Sequence, residues 1–230
     1  MGILEYLDMG LFGFGTSKID ERKEDRIIQG KDWYDKGNSL AKLGKDQEAI
    51  ACYDKALSLD SANWGAWTNK GNSLAKLGED EETIVCYSQA IRLNPEDLRA
   101  WSNKGFALNK LERYEESIRC YNQVIRFNPK DHNAWFSRGN ALASLRKYDE
   151  SIACYDKALS LDSEDLRALF NKGNALANLK KFEESIECFN QVIKKNPEYP
   201  FALRYKGVAL KKLGRDEEAE YCFKKDKESE

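Results

Sequence analysis

Six cysteines, one histidine and a recurrent set of asparagines, arginines and aromatics are the residues whose types could do chemistry in this chain. The cysteines are Cys52, Cys86, Cys120, Cys154, Cys188 and Cys222, each 34 residues after the last. A zinc site needs ligands converging on one point, often with a short C-x2-C spacing. The long interval instead puts each thiol on its own helix pair, with equivalent positions at least about 8–10 Å apart, the spacing of packed helices. Disulfides need Cα atoms within about 7 Å. Six free, buried thiols of a reducing compartment are therefore expected. His132 has no Cys or acid cluster to make it a ligand or a base and is expected on a surface loop. Gly10-Leu-Phe-Gly-Phe-Gly15 lacks the Lys-Ser/Thr and the preceding strand of a phosphate loop. With no nucleophile elbow and no HExxH zinc motif, the chain is expected to be no enzyme and to need no metal or cofactor.

The elements that must position these residues are set by a repeat. Gly37, Gly71, Gly105, Gly139, Gly173 and Gly207 recur every 34 residues without an insertion. Leucines follow three and six residues after each glycine, and Trp33, Trp67, Trp101 and Trp135 precede the first four by four. In the third unit, Trp101, Gly105, Leu108 and Leu111 share one face of a first helix expected near Arg99 to Leu111. Ile118, Tyr121, Val124 and Ile125 share one face of a second, near Tyr114 to Phe127. Asn94-Pro95, Asn128-Pro129 and Asn196-Pro197 stop the second helices, because proline has no N–H and restricts the residue before it.

The Trp-x3-Gly spacing, the leucine three later, a small residue opening the second helix (Ala49, Thr83, Ser117, Ser151, Ser185, Ala219) and the aromatic after it (Tyr53, Tyr87, Tyr121, Tyr155, Phe189, Phe223) resemble the tetratricopeptide repeat. The resemblance covers residues 30–230, as six units starting at 30, 64, 98, 132, 166 and 200. Strings such as Asn171-Lys-Gly-Asn-Ala-Leu176 also resemble repeats common in archaeal proteins. Ser or Thr at the usual Ala position, and Glu112, Arg146 and Lys180 where a turn glycine is frequent, depart from the pattern. The resemblance implies an all-α fold: a right-handed superhelical α-solenoid of helix-turn-helix repeats. Residues 1–29 form a separate N-terminal segment, in which 18–29 are expected to be helical and to cap the apolar end of the first unit, while Ile3, Leu4, Leu7, Leu11 and Phe12 would share a short apolar face. In the last unit Asp226 replaces an apolar residue, and the charged tail 224–230 is expected to face solvent.

The resemblance also implies a concave groove lined by the first helices, with positions two, five, six, nine, twelve and thirteen of each unit facing it. Carried onto this chain, the candidate peptide-binding residues are Asn38, Asn69, Asn72, Arg99, Asn103, Phe136, Asn140, Arg167, Phe170, Asn171, Asn174 and Arg204. Tyr34, Phe106, Lys42, Lys76, Lys110, Lys211 and Lys212 fall on the same positions, with Asp35 as the acid among them. An asparagine amide offers a donor and an acceptor, matching the peptide unit of an extended chain. Arg and Lys would select carboxylates and the aromatics would anchor apolar groups. The set is similar to the asparagine ladders of tetratricopeptide grooves. It departs from the carboxylate clamp of chaperone-tail binders: Asn38, Asn69 and Arg99 match, but Tyr34 and Asn103 stand where Lys and Arg are expected.

Charge narrows the partner class. The chain carries −2 overall, yet the first fourteen residues of the six units sum to +13 and the remainder to −15. Part of this asymmetry is helix chemistry, since Glu48, Glu82, Glu116, Glu150, Glu184 and Glu218 suit the positive ends of the second helices. The expected function is a scaffold or adaptor that binds a protein or peptide segment, acidic and extended or helical. The alternative is a nucleic-acid-binding helical repeat, which the basic first helices favour and the near-zero net charge opposes. No apolar run reaches the roughly 18–20 residues of a membrane span, and the opening Met1 to Gly15 has no basic residue for a secretory signal. A soluble cytoplasmic protein is expected, with any oligomerisation running through the repeat ends.

Overall fold

The computed structural model describes residues 18–228. Twelve helices follow one another: α1 (Lys18–Lys42), α2 (Asp46–Leu59), α3 (Trp64–Leu77), α4 (Asp80–Leu93), α5 (Leu98–Lys110), α6 (Tyr114–Phe127), α7 (His132–Ser144), α8 (Tyr148–Leu161), α9 (Leu166–Asn178), α10 (Phe182–Lys195), α11 (Ala202–Lys212) and α12 (Asp216–Glu228). Each packs on the next, pairing odd (A) with even (B) helices in six units. The backbones of successive A helices also approach one another closely, whereas among the described residues those of successive B helices do not. The A helices thus form the inner, concave wall of a right-handed α-solenoid and the B helices splay outside it.

Local chemistry explains the helix ends. Asn63, Asp97, Asp131 and Asp165 cap α3, α5, α7 and α9 by accepting first-turn N–H groups. The A-to-B turn needs a left-handed residue, supplied by Gly44, Gly78 and Gly214 in three units. Glu112, Arg146 and Lys180 take the same conformation at φ 58°, 59° and 62°, so the turn survives the missing glycine at a steric cost. Unit six differs: Tyr199-Pro200 and Phe201, itself at φ 64°, delay α11 until Ala202.

The repeat glycine is needed for close approach. A Cβ on Gly37, Gly71, Gly105, Gly139, Gly173 or Gly207 would come within 2.6–2.9 Å of the aromatic ring presented by the B helix of its own unit. The three serines that replace alanine are fully buried and satisfied: Ser117, Ser151 and Ser185 donate to the carbonyls of Gly105, Gly139 and Gly173 at 2.8–2.9 Å. The indoles of Trp67, Trp101 and Trp135 donate to the turns before their helices, at Ser61, Pro95 and Pro129.

Residues 18–29 are helical and run straight on into the first unit as part of α1. Residues 23–29 are exposed, and Arg26 reaches the Ser58 carbonyl at 3.2 Å. The apolar face expected in residues 3–12 lies outside the described residues. At the other end Asp226 is buried, contrary to its expected place in a solvated tail, because it accepts from Arg204 Nε at 2.8 Å. No described helix is long and apolar enough to cross a membrane.

Candidate functional site

The recurrent geometry of the units turns one face of each A helix to the concave side, and hydrogen-bonded pairs of amides recur along it. In unit one Asn38 Oδ1 accepts from the Tyr53 hydroxyl at 3.0 Å and from Asn69 Nδ2 of unit two at 2.7 Å. Unit two repeats this: Asn72 Oδ1 accepts from Tyr87 at 2.8 Å and from Asn103 at 2.8 Å. Unit four does so again, with Asn140 Oδ1 accepting from Tyr155 at 2.8 Å and from Asn171 at 2.9 Å. Both lone pairs of each inner oxygen are occupied, which fixes the amide orientation. The Nδ2 groups of Asn38, Asn72 and Asn140 donate to no described residue, and the Oδ1 atoms of Asn69, Asn103 and Asn171 accept from none. A donor and an acceptor thus remain for a ligand at each junction.

Three tyrosines anchor these pairs, a role that their place in the repeat pattern did not assign them. The signal was present: each lies 15 residues after its asparagine. Burial pushes the phenols of Tyr53 and Tyr155 up to about 12, and that of Tyr87 higher still, so all remain donors well above neutral pH.

The amide pair is missing at two of the five junctions between units. Phe106 stands in place of the inner asparagine in unit three, and Ser137 faces the Tyr121 hydroxyl there. In unit five Phe189 replaces the tyrosine, and the buried Asn174 Oδ1 has no partner. Asn109 Oδ1 in unit three is likewise buried and unpaired. Four cavities open along the groove, of about 730, 200, 370 and 770 Å3, and each is lined by at least one of these asparagines.

Four of the eight cations expected to receive a ligand's carboxylates are closely engaged. Arg167 grips its own helix-capping Asp165 with two bonds, at 3.0 and 2.9 Å, and lies over the Phe136 ring at 4.8 Å. Arg204 pairs with Asp226 and covers the Phe201 ring at 5.4 Å. Lys76 reaches Asp46 at 3.2 Å and Lys110 reaches Asp80 at 2.7 Å, each bridging to the preceding unit. Arg99 is the most loosely held of these arginines: its side chain is exposed, and its Nε stops 3.7 Å from Asp97. Sequence could not show this, because the acids come from the preceding unit, from the second helix of the same unit or from a helix cap. Phe136 and Phe170 are half-buried packing residues, with ring centroids 6.1 Å from Tyr155 and 5.6 Å from Phe189.

All six cysteines are free and buried, and burial pushes the thiols of Cys86, Cys120 and Cys188 up to about 11. No cluster of His, Cys, Asp or Glu able to hold a metal occurs among the described residues. His132 is not on a loop as expected: it opens α7, with Nε2 3.4 Å from the Asp165 carboxylate of the next unit.

A right-handed array of helical hairpins with a polar concave wall defines the class: a helical-repeat solenoid that offers a continuous binding surface. The family comparison is specific. A tetratricopeptide repeat model matches residues 65–97, 98–131, 132–165 and 166–199, and a second TPR repeat model matches 37–78. The chain belongs to the tetratricopeptide repeat family. No curated protein matches it over its sequence. Among solved structures it is similar to YrrB, a TPR protein with an unusual peptide-binding site, at 27% identity over 82% of this chain and 95% of that one, with a TM-score of 0.73. MamA (20% identity, 74% and 93% covered, TM-score 0.71) and a TPR protein from Parabacteroides merdae (20%, 89% and 78%, TM-score 0.73) share the fold.

Proposed function

We propose that this array is a scaffold that holds an extended segment of a protein partner along its concave face, without chemistry of its own. The observation that carries this reading is the recurrence of tyrosine-anchored amide pairs. Their members are fixed through one atom and leave the other for a ligand, at Asn38–Asn69, Asn72–Asn103 and Asn140–Asn171. An extended chain presents peptide N–H and C=O groups that such amides can meet without reading side chains. YrrB, the most identical of the three relatives named, is a TPR protein with a peptide-binding site. A preference for an acidic segment rests on Arg99, whose guanidinium is exposed. The engagement of Lys76, Lys110, Arg167 and Arg204 with their own acids speaks against a groove for a polyanion.

The test is capture of the native partner followed by calorimetry with the mapped segment. Asn103→Ala with Asn171→Ala should weaken binding about tenfold, since each lost hydrogen bond contributes about 0.5–1.5 kcal/mol. The loss should be the same for segments that differ in side chains, and Arg99→Ala should cost acidic segments alone. Parent-like binding by the asparagine pair overturns the groove reading. A steep fall of affinity with salt would indicate phosphate contacts instead.

A further inference from the structure

Exposed apolar side chains stand at the two junctions that lack the amide pair, one in unit three and the others in unit six, three units apart. Phe106 takes the inner asparagine position of unit three and is 64% exposed beside Asn72 and Asn103. Val208 takes the same position of unit six and is 49% exposed, and Tyr205, 43% exposed, takes the outer one. Tyr205 and Val208 line the 770 Å3 cavity with Phe182 and Ala177. The Tyr205 ring is held by Phe170 at 5.3 Å, edge-on, so the apolar wall is preformed. Lys180 and Lys212 line the same cavity, no acid does, and neither lysine has an ion pair among the described residues. Asn174 also lines it. Its amide lacks the tyrosine that fixes the others, so nothing described holds its Oδ1 inward. Between the two apolar sites lies the intact Asn140–Asn171 junction.

We propose that the groove selects extended segments carrying two large apolar side chains, one seated against Phe106 and one in the Tyr205–Val208 cavity, with a carboxylate just beyond the second. This rests on the groove reading above. Adjacent A helices packed about 8–10 Å apart put three steps, α5 to α11, at about 24–30 Å. An extended chain rises about 3.3 Å per residue, so the two anchors lie about seven to nine residues apart. The stretch between them spans the Asn140–Asn171 junction, which grips backbone and leaves its side chains unread. The carboxylate, from an acidic residue or a chain terminus, meets Lys180 and Lys212.

Phage display of random 16-residue peptides on the immobilised full chain tests this. Enriched sequences should carry two large apolar residues seven to nine apart, with an acidic residue after the second. The best binder, remade as a synthetic peptide, should bind Phe106→Asn and Val208→Asn about tenfold more weakly. Both positions are exposed and helical, so circular dichroism should find both variants folded. Replacing either apolar residue of the peptide by Ser should abolish the effect of the matching variant. Lys180→Gln with Lys212→Gln should remove the preference for the acid. If enriched peptides share no spaced apolar pair, or if the Phe106 and Val208 variants bind them as the parent does, the two-anchor inference fails. When Asn103→Ala with Asn171→Ala still weakens the same peptides, the groove reading survives that failure. When no groove variant changes binding, both fall together.

Discussion

Unit five offers a natural lesion in the series of amide pairs, and repairing it should stabilise the protein. Phe189 is fully buried over Gly173, as Tyr53, Tyr87 and Tyr155 are over Gly37, Gly71 and Gly139. In those units the ring carries its hydroxyl to an asparagine oxygen at 2.8–3.0 Å, whereas Asn174 Oδ1 is buried without a donor. Phe189→Tyr would supply that donor. A hydrogen bond of this kind contributes about 1 kcal/mol net, and an unsatisfied buried acceptor costs about 1–3 kcal/mol. Desolvation of the new hydroxyl offsets part of the gain, so about 1 kcal/mol is expected. For an array of this size that raises Tm by about 2–4 °C. Thermal melts followed by circular dichroism, with urea titrations alongside, measure it. Asn174→Ala provides the double-mutant cycle: in its background the gain from Phe189→Tyr should vanish, giving a coupling energy of about 1 kcal/mol. The reverse change, Tyr155→Phe, should cost a similar amount or less, because Asn140 Oδ1 keeps Asn171 Nδ2 at 2.9 Å. An unchanged or lowered Tm for Phe189→Tyr, or a gain that persists without Asn174, refutes the reasoning.

Glu112→Gly and Lys180→Gly should each raise stability by up to about 1 kcal/mol, because both residues sit at positive φ where a side chain is strained; urea titration reads the change, and destabilisation would show that these side chains contribute more than the strain costs. Alkaline pH should unfold the array. The buried tyrosines titrate near 12 when folded against about 10 when unfolded, and the buried thiols near 11 against about 9. Because the folded values are raised, this contribution is complete below about pH 9 and is lost as pH rises from there through about 12. Melts from about pH 8 to about pH 11.5 should show a falling Tm, and a flat profile would contradict the burial of these groups.

The repeat itself determined most of the fold. Glycine, leucine and tryptophan at 34-residue intervals specify two amphipathic helices per unit, and a unit with an apolar face on each side must stack. Proline after asparagine set where α4, α6 and α10 stop, and the third unit's second helix spans Tyr114–Phe127 as its periodicity predicts. The positions of Asn38, Asn69, Asn72, Asn103, Asn140 and Asn171 were also legible, since a fixed register places them at equivalent points of successive helices. What these side chains touch was decided by tertiary structure alone. Partners come from other helices: Tyr53 for Asn38 from 15 residues away, Asn69 from 31, and Asp46 for Lys76 from 30. Arg99 and Arg167 share a repeat position and a capping aspartate two residues earlier, yet one stops 3.7 Å from its carboxylate while the other closes on it with two bonds over the Phe136 ring. Residue type and period place a side chain on a face. Only the packed neighbours settle whether its hydrogen-bonding capacity is already satisfied within the fold or left for a partner.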